Sequence, residues 1–352
     1  MLAKELFALQ SKEPGLLLID ARSPLEFKKG HIPGAFNLPL LDDAARAHVG
    51  TLYKTQGREV AVPEALCAVA ARAQEIVDRL SFLFDEAKAA PVVIYCARGG
   101  MRSGALTVLS SSLGHKAIQL AGGYKSYRQE VLQLLGKMES KAKVLLNGQT
   151  GVGKTRVIKL LQERGVPAID LEALAGHRGS AFGHFGLTKE SPSQQGFENR
   201  IAHAFFPWRD SVGIVLELEN ALGAVVVPGG LRKSMYQSPM VYLSRDLPGR
   251  IELIEAEYLA NGLPSSEDFT SALQMLQGRV PTEVMQEIKS DFAGSNLHGV
   301  IQKLLVHRYD KAYDRSLERH RHQVIGHIDF DQGESLGLEK LISIVNELWA
   351  GT

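Results

Sequence analysis

The stretch Gly148-Gln149-Thr150-Gly151-Val152-Gly153-Lys154-Thr155 satisfies G-x-x-x-x-G-K-[ST] in full, and no other segment narrows the available folds as much. Such a loop works only between a buried strand and a helix. Its glycines let backbone N–H groups close on phosphate oxygens, the lysine neutralises them, and the last hydroxyl reaches a magnesium ion. The flanks comply: Val144-Leu145-Leu146-Asn147 reads as a buried strand, and residues 155–164 have helical apolar spacing. The phosphate-binding set is therefore Gly148, Gly151, Gly153, Lys154 and Thr155. The loop contacts phosphate alone, so it does not say what the phosphate is attached to. Asp170 and Glu172 follow the next apolar run, and Glu217 and Glu219 end the run 212–216. These acids are candidates for orienting substrate or metal-bound water, with Glu217 and Glu219 in the Walker-B position; the metal itself is left unassigned.

Further strands are expected at 166–170, 212–216, 224–227, 240–243 and 324–328. Between 247 and 321 the pattern changes to long helical segments, read as an insertion before the last strand, and a helix closes the chain at 338–348. The second domain thus spans 140–352. Within it, His177-Arg178-Gly179-Ser180-Ala181-Phe182 is too Gly-rich for a core helix and too aromatic for a plain linker. His177, Arg178, Ser180 and Phe182 are assigned to substrate contacts. Residues 303–322 are rich in Lys and Arg and include Tyr309 and Tyr313, a pattern suited to an RNA backbone and equally to a solvated helix face.

The first 135 residues also alternate strand-length apolar runs with helical stretches, which argues for a parallel α/β sheet. Leu16-Leu17-Leu18-Ile19 ends in Asp20, Val92-Val93-Ile94-Tyr95 ends in Cys96, and Ala117-Ile118-Gln119-Leu120 leads to Gly122-Gly123. The stretch 64–84 has helical spacing, with Cys67 as a small core residue. After the second strand comes Cys96-Ala97-Arg98-Gly99-Gly100-Met101-Arg102-Ser103. A cysteine between a strand and a helix, followed by glycines, sits in a ring of backbone N–H groups that favours an anion and lowers the thiol pKa. Cys96, Arg98, Gly99, Gly100 and Arg102 form the candidate catalytic set.

Composition adds exclusions. Lys plus Arg number 40 and Asp plus Glu 39, a net charge of +1, so nucleic acid would have to be held by a local basic track. That track is expected at 303–321 together with Arg178 and Lys125. The 2 cysteines cannot form a disulfide framework. No apolar stretch is long enough to span a bilayer, and Lys4 and Glu5 interrupt the start, so the expectation is a cytoplasmic protein without a membrane partner.

Asp20-Ala21-Arg22-Ser23, Glu26, Gly30-His31-Ile32-Pro33-Gly34-Ala35 and Asn37, with the cysteine loop and Ala121-Gly122-Gly123-Tyr124, resemble a rhodanese domain. Such domains carry sulfur or selenium on the loop cysteine, and Asp20, Arg22 and His31 look like framework residues. The C-x-x-x-x-x-R spacing is wider than many sulfurtransferases use and is shared with cysteine phosphatases, so that reading stays open. The fusion to a P-loop domain and the form C-x-x-G-G-x-R-S resemble the bacterial tRNA 2-selenouridine synthase family. So do Tyr53-Lys54-Thr55-Gln56-Gly57-Arg58, Tyr124-Lys125-Ser126-Tyr127-Arg128, Pro192-Ser193-Gln194 and Tyr309-Asp310.

The resemblance implies a transferase that exchanges sulfur for selenium at C2 of wobble 2-thiouridine in tRNA. It implies selenophosphate as donor, with a selenophosphate-producing enzyme as a partner, and prior S-geranylation from geranyl diphosphate. The P-loop would hold the prenyl diphosphate and the cysteine loop the selenium species. Phe182, Phe185, Phe197, Phe205, Phe206 and Trp208 would then supply an apolar wall for the tail beside the phosphate site. Two competing readings remain: a P-loop kinase or ATPase with a sulfur-carrier domain, and a regulatory module built on a degenerate phosphatase. Cys96 with both loop arginines argues against the latter, and the lack of an obvious Walker-B Asp argues against an ATPase.

Overall fold

The computed structural model describes residues 1–87, 90–177, 191–219, 221–259, 265–311, 313, 318 and 320–351. The chain divides into two units: Met1–Leu135 with Pro192–Pro207, and Gly136–Ser191 with Trp208–Thr352.

In the first unit, β1 (Leu17–Asp20), β2 (Ala35–Asn37), β3 (Val92–Tyr95) and β4 (Ala117–Gln119) form a parallel sheet in the order β2-β1-β3-β4. The central strands β1 and β3 are buried throughout, whereas the edge strands show one exposed residue each, as two-sided and edge positions require. β2 carries no apolar run and was not legible as a strand. The expected helical stretch 64–84 falls into two helices, Arg58–Ala70 and Ala73–Ala87. At the break Arg72 donates to the Pro39 carbonyl (3.1 Å) and pairs with Glu75 (3.0 Å). Ile76, Leu80 and Phe84, one turn apart, join the core formed by Ile19, Ile94 and Leu106. Cys67 is exposed and not a core residue, because the first of the two helices buries only Ala61.

Residues 192–207, read from sequence as part of the P-loop domain, belong to the first unit. The helix Gln194–Phe205 buries Phe197, Ile201, Ala202 and Phe205. Buried Asn199 donates to the His31 carbonyl (2.7 Å) and to the Tyr124 hydroxyl (3.0 Å), and Glu198 pairs with Arg128. His203 lies 4.7 Å from the Phe7 ring.

In the second unit a parallel sheet runs β11-β10-β5-β7-β6. Its strands are β5 (Ala142–Gly148), β6 (Ala168–Ile169), β7 (Gly213–Glu217), β10 (Met240–Ser244) and β11 (Val324–Asp329). The expected strand 224–227 is only β9 (Val225–Val226), paired with β8 (Ala221–Leu222) in a hairpin outside that sheet. β5 lies at the centre, so the phosphate loop emerges at the carboxyl end of the sheet, where open α/β folds place ligands. The closing helix, Glu334–Ala350, packs Leu338, Leu341 and Val345 into the core with Val144, Leu146 and Val241. The helical insertion contains helices Leu247–Leu259, Ser266–Met275, Thr282–Ala293 and Leu297–Leu304 and a π-helical turn, Leu305–Tyr309. Among the described residues no helix is long and apolar enough to cross a membrane.

Candidate functional site

Two anion cradles are built, one in each unit. In the first, β3 delivers Cys96 and the helix Met101–Ser112 follows it. The Cys96 Sγ accepts the Gly100 N–H (3.3 Å) and the Ser103 hydroxyl (3.1 Å). Burial pushes the thiol up. The Ser103 hydroxyl and the N–H groups of Ser103, Gly100 and Arg98 outweigh it, so the thiol lies below its ordinary value.

The segment after β4 holds the ring from behind. Tyr124 N–H donates to the Cys96 carbonyl (2.8 Å), and Lys125 N–H to the Ala97 carbonyl (3.0 Å). Gly123, at φ +56°, approaches so closely that a Cβ would stand 2.2 Å from the Cys96 carbonyl oxygen. Gln119 donates to the carbonyls of Gly99 and Gly100 (both 3.0 Å) and to the Ser103 hydroxyl (2.9 Å). Its sequence context, an ordinary strand residue, gave no hint of this role.

The loop arginines differ from each other. Arg102 is paired with Glu26 at 2.6 Å, and Arg46 approaches the same carboxylate at 3.5 Å. Although burial opposes it, the Arg102 partner holds Glu26 down at about 2. Arg102 is thus a tethered cation, and Arg98 is the exposed one.

In front of Cys96 opens a cavity of about 510 Å³ roofed by the helices Asp43–Thr55 and Arg58–Ala70. Its wall is largely apolar, with Leu41, Val49, Val62, Ala65 and Met101 beside the loop. Arg46 also lines a second cavity, of about 660 Å³, with Lys29, Lys125 and Arg128.

In the second unit Gly151, Gly153, Lys154 and Thr155 line one small cavity. Gly153 N-caps the helix Lys154–Glu163 in the left-handed region. Lys154 donates to the Gly148 carbonyl (2.9 Å) and to the Tyr313 hydroxyl (3.4 Å), and lies 5.1 Å from the Tyr313 ring centre. Burial would lower its ammonium, but Tyr313, Glu172, Glu219 and Glu217 outweigh burial and hold it above its usual value. The same burial raises Asp170, Glu172, Glu217 and Glu219, with mutual repulsion adding to it at Glu172 and Glu217. Asp170 caps the helix Leu171–Ala175 through Ala173 N–H (2.7 Å), and Glu217 accepts the Glu172 N–H (2.6 Å). Both therefore shape the site, while Glu172 lines a cavity of about 60 Å³ with Lys154, Thr155, Glu257 and Tyr313.

Arg250, 3% exposed, was not foreseen: its helical segment carries no motif. It donates to the Thr150 carbonyl (2.9 Å) and Gln149 Oε1 (2.8 Å), and pairs with Asp310 (2.5 Å). The helical insertion therefore braces the phosphate loop. At Gly151, φ +82°, a Cβ would stand 2.6 Å from Ile254 Cδ1.

Of the remaining expected contacts, His177 is described, while Arg178, Ser180, Phe182 and Phe185 lie outside the described residues. Phe197, Phe205 and Phe206 belong to the first unit, where Phe206 stacks on Phe7 at 5.3 Å. In the expected basic track, Lys303 is paired with Asp291 (2.5 Å), Asp310 with Arg250, and Tyr313 with Lys154. Arg315 and Arg319 of the same track lie outside the described residues. Among the described residues no cluster of three or more His, Cys, Asp or Glu is arranged to hold a metal.

A rhodanese-like domain profile matches residues 2–130, and the profile of the tRNA 2-selenouridine synthase AAA domain matches residues 141–335. The chain is similar to proteins named tRNA 2-selenouridine synthase from several bacteria. It is 30% identical to that of Bdellovibrio bacteriovorus and 33% identical to that of Marinobacter nauticus, in both cases over 88% of this chain and 90% of the relative. It is 37% identical to that of Pseudomonas syringae pv. syringae, over 69% of this chain and 66% of the relative.

Proposed function

The chain belongs to the tRNA 2-selenouridine synthase family, and from that premise we propose that it exchanges sulfur for selenium at C2 of wobble 2-thiouridine in tRNA through an S-geranyl intermediate. The observation that carries this reading is the pairing of two different anion cradles on one chain. One surrounds a cysteine whose thiolate is favoured, and the other is a phosphate loop with an acid-ringed lysine.

The P-loop takes the diphosphate of geranyl diphosphate. The thiocarbonyl sulfur attacks C1 of the geranyl group, the C1–O bond breaks, diphosphate leaves, and the N3 proton of the base is released. Lys154 and the loop N–H groups carry the charge of the leaving group. Thr155 and one or two of the surrounding carboxylates would hold a magnesium ion here, an ion usually held mostly by phosphates and water. When bound it would neutralise the diphosphate.

At the cysteine loop selenophosphate supplies selenium. The C2–S bond breaks, a C2–Se bond forms, and geranylthiol leaves. Water splits the P–Se bond to give phosphate, and N3 regains its proton. Selenium stays at the selenide level, so the exchange consumes no external oxidant or reductant. Cys96 is the nucleophile for this step: its thiolate attacks C2, a C2–Sγ bond forms as geranylthiol leaves, and the selenium then attacks C2 and releases the thiolate unchanged, while the surrounding N–H groups hold the anionic donor.

Nucleoside analysis of bulk tRNA from cells with and without the gene tests the proposal. 2-Selenouridine and S-geranyl-2-thiouridine should both vanish on deletion and return on complementation. Unchanged 2-selenouridine in the deletion strain would refute it.

A further inference from the structure

The cavity over Cys96 is not shaped for a small polar acceptor. Leu41, Val49, Val62, Ala65 and Met101 make its wall apolar, and Met101 is 54% exposed at its edge. A cysteine that passed selenium to a hydrophilic base alone would gain nothing from such a wall, and exposed apolar surface is costly to keep in water. Arg46, Lys54, Arg98 and Arg102 line the same cavity. Arg46 joins it to the neighbouring cavity of Lys29, Lys125 and Arg128. Apolar side chains and four cations in one lining together describe an amphiphilic ligand: a greasy chain attached to a polyanion.

We propose that the apolar cavity over Cys96 binds the prenyl chain of the S-geranylated wobble nucleoside, while Arg46 and the adjoining cationic cavity take the flanking RNA phosphates. This rests on the S-geranyl reading above and adds to it a binding site in the rhodanese-like unit. A cavity of about 510 Å³ has the size of ordinary small-ligand sites and admits a ten-carbon chain. Seating the chain there brings the C2–S bond toward Cys96, and geranylthiol departs from the place where its tail was held. The helices Asp43–Thr55 and Arg58–Ala70 are then the elements that tell alkylated from unalkylated thiouridine.

The test uses the full-length protein with selenophosphate and anticodon stem-loop RNAs carrying S-geranyl-, S-prenyl (five-carbon)- or S-methyl-2-thiouridine. For the wild type, conversion to 2-selenouridine should favour the longer chain, by up to ~4-fold in kcat/KM per buried methylene. Ala65→Trp fills the cavity from a half-buried helix position and should cut the geranyl-over-methyl preference at least ~10-fold, mainly through KM. Met101→Ala, at an exposed position that the fold does not need, should reduce the same preference by less.

If the wild type converts S-geranyl RNA and both variants keep its chain-length preference, the cavity assignment is overturned and the S-geranyl reading stands. If the wild type converts no S-alkylated RNA, both fall together. If Ala65→Trp instead slows geranylation of unalkylated 2-thiouridine RNA, with S-geranyl consumption unchanged, the cavity serves the prenyl diphosphate donor and the proposal is wrong.

Discussion

The cysteine loop and the phosphate loop solve one problem with opposite electrostatics. Both follow the end of a buried parallel strand, and both use glycines to aim backbone N–H groups at an anion. Around Cys96 the loop arginine Arg102 is paired with Glu26, and the donors to the sulfur, the Gly100 N–H and the Ser103 hydroxyl, carry no formal charge. Around Lys154 a full cation faces Glu172, Glu217 and Glu219, carboxyls that burial raises toward their protonated form. The first cradle can therefore keep a nucleophile reactive. The second is arranged to hold and release a highly charged leaving group, with carboxyls whose protonation can follow the ligand.

The strongest way to break this comparison is to remove each centre in turn. Cys96→Ala should abolish 2-selenouridine while S-geranyl-2-thiouridine accumulates. Lys154→Ala should leave unalkylated 2-thiouridine, measured in the same tRNA hydrolysates. If both variants stop at the same species, the division of labour is wrong.

Acid should also separate the two units. Burial holds His203 in the first unit down at about 4, so the fold requires its neutral form. The unfolded chain then binds the extra proton, and stability is lost as pH falls from ~6.5 toward 4, by about 3 kcal/mol across the window. In the second unit burial raises Glu217 well above the usual range, so the folded state binds the proton and stability is lost as pH rises above ~4.5. Hydrogen exchange at pH 7 and pH 5 should show the first unit loosening and the second tightening. His203→Phe should remove the first response. Parallel responses of the two units would contradict this account.

Ligand binding gives a smaller and more specific readout. Geranyl diphosphate at ~100 times its Kd should stabilise the protein by about 2.7 kcal/mol, and ATP at equal concentration by much less. Lys154→Ala should remove the protection. Tight ATP binding with no response to geranyl diphosphate would favour the kinase-like reading. The mildest perturbation is Ser103→Ala, which deletes one donor to the Cys96 sulfur. A charge-assisted hydrogen bond of ~1.5–3 kcal/mol sets the expectation of roughly 10- to 100-fold slower selenation at neutral pH. The rate should recover toward alkaline pH as the raised thiol ionises.

What could be read from the sequence follows how local each signal is. β3 with Cys96 and β5 with Lys154 were legible because strand, glycines and helix adjoin in the chain. Gln119, Glu26 and Arg250 reach their loops from elsewhere in the chain and carry no motif, so only the fold brings them in. The break at Arg72 was missed because Ala70-Ala71-Arg72-Ala73 holds no glycine or proline to mark it. For the aromatic residues 197–206, proximity along the chain points to the phosphate loop, whereas helix Gln194–Phe205 is buried in the first unit.

That helix has a consequence for biosynthesis. The first 135 residues leave the ribosome before the segment that completes their unit, and the P-loop strand and its helix emerge in between. Until Pro207 is released, Asn199 is missing from its bonds to His31 and Tyr124, and Phe206 is missing from Phe7. The nascent amino-terminal half must therefore wait as an incomplete intermediate while the rest is made, with aromatic surface open to chaperones. A fragment ending at residue 135 would lack those contacts, however complete its family signature.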